Sequence, residues 1–233
     1  MTSRLFFLFI LPLSLVWSIS NGQCVVKNDY AGRLVTICNG YQPKAGFFMN
    51  RPDQSQTPKT TVYLGSPYLT FPVYEDGVLE VNHYQTSCKI AFNLVTHQVL
   101  CRFESDSIEH AVLPDAFRVG AQRFVRKSGP QGPPVYYKVL YAGKSKVLAQ
   151  IKGTLQETKR EAYRLEEFDG IYTRQERYLI ELENKAPQAV TLSRKSVLRV
   201  LDHTSDPLPS TTLKNKLTVP ELIEAVAAYD GFQ

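Results

Sequence analysis

Val135-Tyr136-Tyr137-Lys138-Val139-Leu140-Tyr141, then Ala142-Gly143-Lys144-Ser145, then Lys146-Val147-Leu148-Ala149-Gln150-Ile151-Lys152: the chain here reads as two extended arms around a short turn. β-branched and aromatic residues fill the arms, and small or polar residues separate them, which is the signature of a β-hairpin. Alternation places Tyr137, Val139 and Tyr141 on one face and Tyr136, Lys138 and Leu140 on the other. In the second arm Val147, Ala149 and Ile151 oppose Lys146, Gln150 and Lys152. A sheet with one face buried and one wet produces that pattern.

Further hairpins extend outward from this one. Cys24 to Lys27 and Leu34 to Cys38 flank Asn28 to Arg33, which is turn chemistry, and a Tyr30-Ala31-Gly32 loop puts glycine where φ must be positive. Asn39 to Thr61, broken by Gly40, Pro43, Gly46, Pro52 and Pro58, reads as a long surface loop, with Phe47-Phe48-Met49 either an anchor tucking it onto the sheet or an exposed partner-binding patch. Phe71 to Tyr74 and Val78 to Val81 flank Glu75-Asp76-Gly77, read as a tight turn. Cys88 to Phe103 forms a hairpin turning at Thr96-His97, and Phe117 to Val125 forms one around Gly120-Ala121. Ser128 to Pro134 must be a loop. Leu155 to Phe168 is compatible with a charged helix or an extended excursion, and Arg177 to Leu192 restores a hairpin.

The C-terminal part changes character. Ser193 caps a short helix carrying Val197, Leu198, Val200 and Leu201, stopped by Asp206-Pro207-Leu208-Pro209. Thr218-Val219-Pro220-Glu221 is a capping box that opens a helix from Val219 to Tyr229, with Leu222, Ile223, Val226 and Tyr229 along one stripe. The expected fold is mainly β (α+β): antiparallel hairpins forming a sheet or partial barrel, with short C-terminal helices packed against it. The expected divisions are 1–22 for a leader, 23–61 for an N-terminal hairpin and loop, 62–192 for the β-rich part and 193–233 for the helical segment.

Four cysteines allow three pairings. The first hairpin's register sets Cys24 opposite Cys38, and opposed residues about 4.5–5.5 Å apart suit a disulfide. Elimination leaves Cys88 with Cys101. A turn at Thr96-His97 contradicts that pair: Cys101 then faces Phe92, and Cys88 lies about 13 Å further along, beyond the roughly 7 Å limit. The alternative is that both remain reduced as small buried apolar groups.

Arg4, the apolar run Leu5 to Trp17 and Ser20-Asn21-Gly22 form a secretory signal cleaved before Gln23. The expected location is therefore outside the cell or in the periplasm. Lipidation of Cys24 is disfavoured because Gln23, not a small residue, precedes it. The apolar run is short for a span of roughly 20 residues, and no later segment approaches that length. The formal net charge is +5, or +4 once Arg4 is removed. The excess is spread thinly, densest at Lys159-Arg160 and Arg164, so no nucleic-acid partner is expected.

No chemical motif stands out. His83, His97, His110 and His203 show no metal-ligand spacing, and the cysteines lack the Cys-x-x-Cys pattern. His97 is expected to be solvated in its turn. Asp202-His203-Thr204-Ser205-Asp206 holds triad-type residues, but neighbours in sequence rarely form a triad. Asp76 before Gly77 lacks the other ligands of a calcium loop. No catalytic, cofactor-binding or metal-binding residue is assigned.

Gly65-Ser66-Pro67-Tyr68-Leu69, Tyr136 to Lys144, Tyr178 to Leu182 and Ser193 to Tyr229 follow one another in an order that resembles a broad group of exported, uncharacterised β-rich proteins of Bacteroidetes. The resemblance spans Tyr63 to Tyr229 and leaves out Cys24 to Thr61. It carries no activity, so no functional residue transfers. The expectation is an exported cell-envelope protein with a binding or structural role and a possible envelope protein as partner. The alternative is a hydrolase-type enzyme with a dispersed active site, which a pocket of converging histidine and carboxylate groups would favour.

Overall fold

The computed structural model describes residues 24–43, 56–127, 135–158, 167–183, 185–201 and 215–232. They form thirteen strands and two helices. The strands are β1 (Cys24–Asn28), β2 (Leu34–Pro43), β3 (Gln56–Leu64), β4 (Glu75–Val81), β5 (Tyr84–Asn93), β6 (Gln98–Phe103), β7 (Asp106–Val112), β8 (Ala116–Val119), β9 (Gln122–Lys127), β10 (Val135–Ala142), β11 (Lys146–Glu157), β12 (Gly170–Glu181) and β13 (Gln188–Val190). The helices are α1 (Arg194–Val200) and α2 (Val219–Phe232).

One mixed sheet contains every strand, in the order β1-β2-β3-β12-β11-β10-β9-β8-β4-β5-β6-β7, with β13 on β12. All neighbours are antiparallel except β3 and β12, where Tyr63 lies beside Gly170 and Leu64 beside Ile171 in parallel. A parallel pair needs a long connection, and here residues 65–169 supply it. β3 runs across residues 61 and 62.

The sheet rolls without closing into a barrel. Phe92 of β5 makes ring contacts with Phe117 of β8, Phe124 of β9 and Tyr136 of β10, at centroid distances of 5.2, 5.5 and 5.7 Å. Offset and edge-on packing of this kind adds to the burial term. At the lip of the roll the Gly153 amide of β11 donates to the Leu94 carbonyl beyond β5, at 2.9 Å. A Cβ on Gly153 would sit 3.0 Å from that of Leu94, so glycine allows the approach. Arg174 of β12 donates to the Tyr68 and Leu69 carbonyls, at 2.6 and 2.9 Å, and ties the Gly65–Leu69 segment across the same opening.

Two apolar clusters share the inner face. Ile151 belongs to the rolled cluster, with Ile90, Phe92, Val99 and Phe124. Val147, on the same face of β11, belongs to a second cluster with Ile180, Val197, Val200, Leu222 and Val226. The helices cover the end of the sheet that the roll leaves open. The Ser193 hydroxyl caps α1 by accepting from the Ser196 amide. Thr218 and Glu221 form the reciprocal box of α2. Near its other end, Asp230 accepts from the Ser145 amide at 3.0 Å and from the Tyr141 hydroxyl at 3.1 Å, docking α2 on the β10–β11 turn.

Several expectations change. A bulge between Val139 and Tyr141 shifts the opening hairpin, so Tyr141 faces inward with Tyr136 rather than away from it. Glu75-Asp76-Gly77 is no turn. It lies inside β4, and the turn falls at Asn82 and His83, both with positive φ. Gly77 is there for space: a Cβ would meet the Arg118 carbonyl at 2.4 Å and Ile90 Cδ1 at 2.6 Å. Both ends of the expected Asn39–Thr61 loop are strand, and Phe47-Phe48-Met49 lies outside the described residues. β11 runs on to Glu157, so the start of the ambiguous Leu155–Phe168 stretch is extended. On α2 the buried positions are Leu222, Ala225 and Val226, with Ile223 half-buried.

Cys24 lies opposite Cys38 in the β1–β2 register, with their sulfurs at disulfide distance, 2.04 Å. Cys88 and Cys101 are buried free thiols, the alternative arrangement the sequence allowed. The β5–β6 loop spans residues 94–97, which sets Cys101 opposite Ile90 and leaves Cys88 on the diagonal. Arg33 fastens the β1–β2 turn to the segment before β12, bonding Asp29 and Glu167 and lying 4.9 Å over the Phe168 ring.

Candidate functional site

β12 has an uneven outer edge. Along its inner side it pairs with β11 over its full length. On the outer side β3 covers only Gly170 and Ile171, and β13 covers only Tyr178 to Ile180. Tyr172 is met by Gly65, whose Cβ position lies 3.2 Å from the Tyr172 carbonyl oxygen. That leaves Thr173 to Arg177 without a described strand on the outer side. In such a strand every second residue turns its N–H and C=O toward the free side.

Where this edge ends, a groove begins. It encloses about 770 Å³ between the end of β12, β13 and α1. Its floor includes Tyr178, Val190 and Leu192, and its rim carries Arg177, Lys195 and Arg199. A second concavity of about 680 Å³ continues along α1 and adds Arg194. The local sequence explains the layout. β13 is three residues long, and the Ser193 cap starts α1 almost at once. Val197 and Val200 then turn inward, and Lys195 and Arg199, four residues apart, share an outward face.

Arg177, Arg194, Lys195 and Arg199 make no ion pair with another described residue. Like charges at this helical spacing destabilise by a few tenths of a kcal/mol, roughly the size of a favourable pair. The one carboxylate among the groove's described residues, Glu176, accepts from the Tyr178 hydroxyl at 2.7 Å. Burial first, then that carboxylate, pushes the Tyr178 phenol up to about 12, so it remains a neutral donor at physiological pH. Among the described residues the groove therefore offers an apolar floor, a positive rim and no general acid–base pair.

The residues singled out in the sequence lie elsewhere. Cys88 and Cys101 contact each other inside the roll, and burial followed by that contact pushes the Cys88 thiol up to about 12. A thiol held protonated is a poor nucleophile. His97 is not solvated: both ring nitrogens are buried without a hydrogen-bond partner among the described residues, and the ring stands edge-on to Phe92. Asp202 to Asp206 lie outside the described residues. The charged cluster the sequence did not announce is Tyr74, Arg102 and Glu109. Arg102 stacks 4.0 Å over the Tyr74 ring, and both side chains bond Glu109, so these groups satisfy one another. His110 pairs with Asp106 at 2.9 Å. Among the described residues no group of three or more His, Cys, Asp or Glu could hold a metal ion.

Of the groove's cations, only Lys195 and Arg199 left a trace in the sequence, as two bases four apart on a capped helix. Arg177 joins them through the β12–β13 pairing alone. Fold and groove define a large rolled mixed sheet with a two-helix cover and an open cationic edge. Comparison with family models, with curated proteins and with solved structures finds no match. No described helix is long and apolar enough to cross a membrane.

Proposed function

We propose that this chain is an exported cell-envelope protein that works by binding, with the groove between β12, β13 and α1 as its ligand site. The observation that carries the reading is the company the cations keep. Arg177, Lys195 and Arg199 rim an apolar floor and have no anionic partner among the described residues. Apolar surface with a few placed polar groups is the usual make-up of a ligand site. Unpaired like charges on one helix face are a local departure from stability rules, the kind expected at functional sites. Export is supported by Arg4, the apolar run Leu5 to Trp17 and Ser20-Asn21-Gly22. The Cys24–Cys38 pair is consistent with an oxidising compartment.

Cell fractionation of the native chain and of a Lys195→Glu/Arg199→Glu variant tests this reading. The mature N-terminus is expected at Gln23, and the variant is expected to leave the envelope fraction at lower salt than the native protein. An intact Met1 in the envelope sinks export. Equal retention of two equally folded proteins sinks the groove as the binding site.

A further inference from the structure

We propose that the free edge of β12 takes up an extended acidic peptide as an added strand, whose end runs into the cationic groove. This rests on the groove being the binding site and names what fills it. Three observations carry it. First, the edge is interrupted rather than short. β12 is twelve residues long, described strands pair with its outer side only at Gly170–Ile171 and Tyr178–Ile180, and Gly65 meets Tyr172. The uncovered Thr173–Arg177 run is about 17 Å long, the length of an ordinary short strand. Second, the run is accessible: Arg174, Gln175, Glu176 and Arg177 are all exposed. Unpaired N–H and C=O groups on an accessible edge are the template used in strand addition.

Third, charge selects the occupant. The Thr173–Arg177 run leads directly into the groove, where Arg177, Lys195 and Arg199 stand at the rim and Arg194 lies beyond them. The one acid among the described residues there, Glu176, is occupied by the Tyr178 hydroxyl. Four cations against one carboxylate favour an anionic ligand and speed its arrival. The apolar floor at Val190 and Leu192 asks for aliphatic side chains next to the charges. A basic peptide would be repelled, and a compact anion would leave the edge of β12 unused.

The test uses the mature full-length chain and three fluorescent peptides of about ten residues, enough to span the edge and reach the groove. One alternates Glu and Val, one alternates Lys and Val, and one is the Glu-Val peptide N-methylated at every second residue. Fluorescence polarisation is read against the native chain and against Arg177→Glu/Lys195→Glu/Arg199→Glu, with near-UV circular dichroism confirming that the variant is folded. The Glu-Val peptide is expected to bind best. N-methylation should weaken it by at least about tenfold, because several main-chain hydrogen bonds are lost together. Charge reversal should weaken it by at least about tenfold and erase its salt dependence.

Equal binding of the methylated and unmethylated peptides means charge capture without strand addition and overturns the proposal. Absence of saturable Glu-Val binding also overturns it, as does a concentration-dependent dimer that the triple variant abolishes, which gives the edge to a second copy of this chain. If the peptide fails while Lys195→Glu/Arg199→Glu still loosens envelope retention, the groove reading stands and only the occupant is wrong. If both fail, both readings fall.

Discussion

His97 shows how much a single position can hide. It sits at φ 55° in the β5–β6 loop, the same loop whose Leu94 carbonyl accepts from Gly153. Both ring nitrogens are buried with no hydrogen-bond partner among the described residues, and burial first, then the Lys152 ammonium, lowers its pKa. The fold therefore favours neutral imidazole, whereas the unfolded chain titrates near about 6.5. His97's contribution is fully present above that value and is lost as pH falls from there through the lower folded value. Stability to urea should decline on acidification from about pH 7 to about pH 5. His97→Asn, which tolerates positive φ, should flatten that decline, and an unchanged slope in the variant would assign the titration to another group.

At the level of elements, α2 is decided by which stripe faces the sheet. Leu222 and Val226 are fully enclosed against Val147 and Ile180, whereas Ile223 is half-buried. Leu222→Ala should cost about 2–5 kcal/mol, the range for an enclosed leucine. Ile223→Ala should cost less, because part of its surface is already in water. Denaturant titration of the two variants orders them, and equal losses would mean that α2 sits rotated about its axis. The opening hairpin carries a related lesson. Strict alternation across β10 separates Tyr136 from Tyr141, and one bulge reunites them on the inner face.

For the whole molecule, the two apolar clusters share β11. Ile151 anchors the rolled cluster and Val147 the helical one, four residues apart on the same face. Loss of one cluster exposes the strand that supports the other, so the two should unfold together. Near-UV circular dichroism reports the aromatic roll, and far-UV circular dichroism at the helical band reports α1 and α2. Their denaturation midpoints should coincide, and Leu222→Ala should move both by the same amount. Two separated transitions would show that the roll and the helical end are independent units.

The sequence by itself determined the local pieces. Alternating β-branched and aromatic arms placed the hairpins at Cys24–Cys38, Phe117–Val125, Val135–Lys152 and Arg177–Leu192, because pleat periodicity is written residue by residue. Ser193 and the Thr218–Glu221 box fixed both helix starts, because capping depends on side chains within one turn. Tertiary structure alone decided the rest. The parallel β3–β12 contact joins residues more than a hundred positions apart, beyond the reach of any local period. Gly77 read as a turn because its true reason, the Arg118 carbonyl and Ile90 pressed against it, comes from distant strands. The groove is of the same kind: Arg177 meets Lys195 and Arg199 only after β13 pairs with β12. Thr173–Arg177 lacks a described strand on its outer side only because β3 and β13 stop where they do, and main-chain groups left uncovered by distant strands have no signature in the residues that carry them.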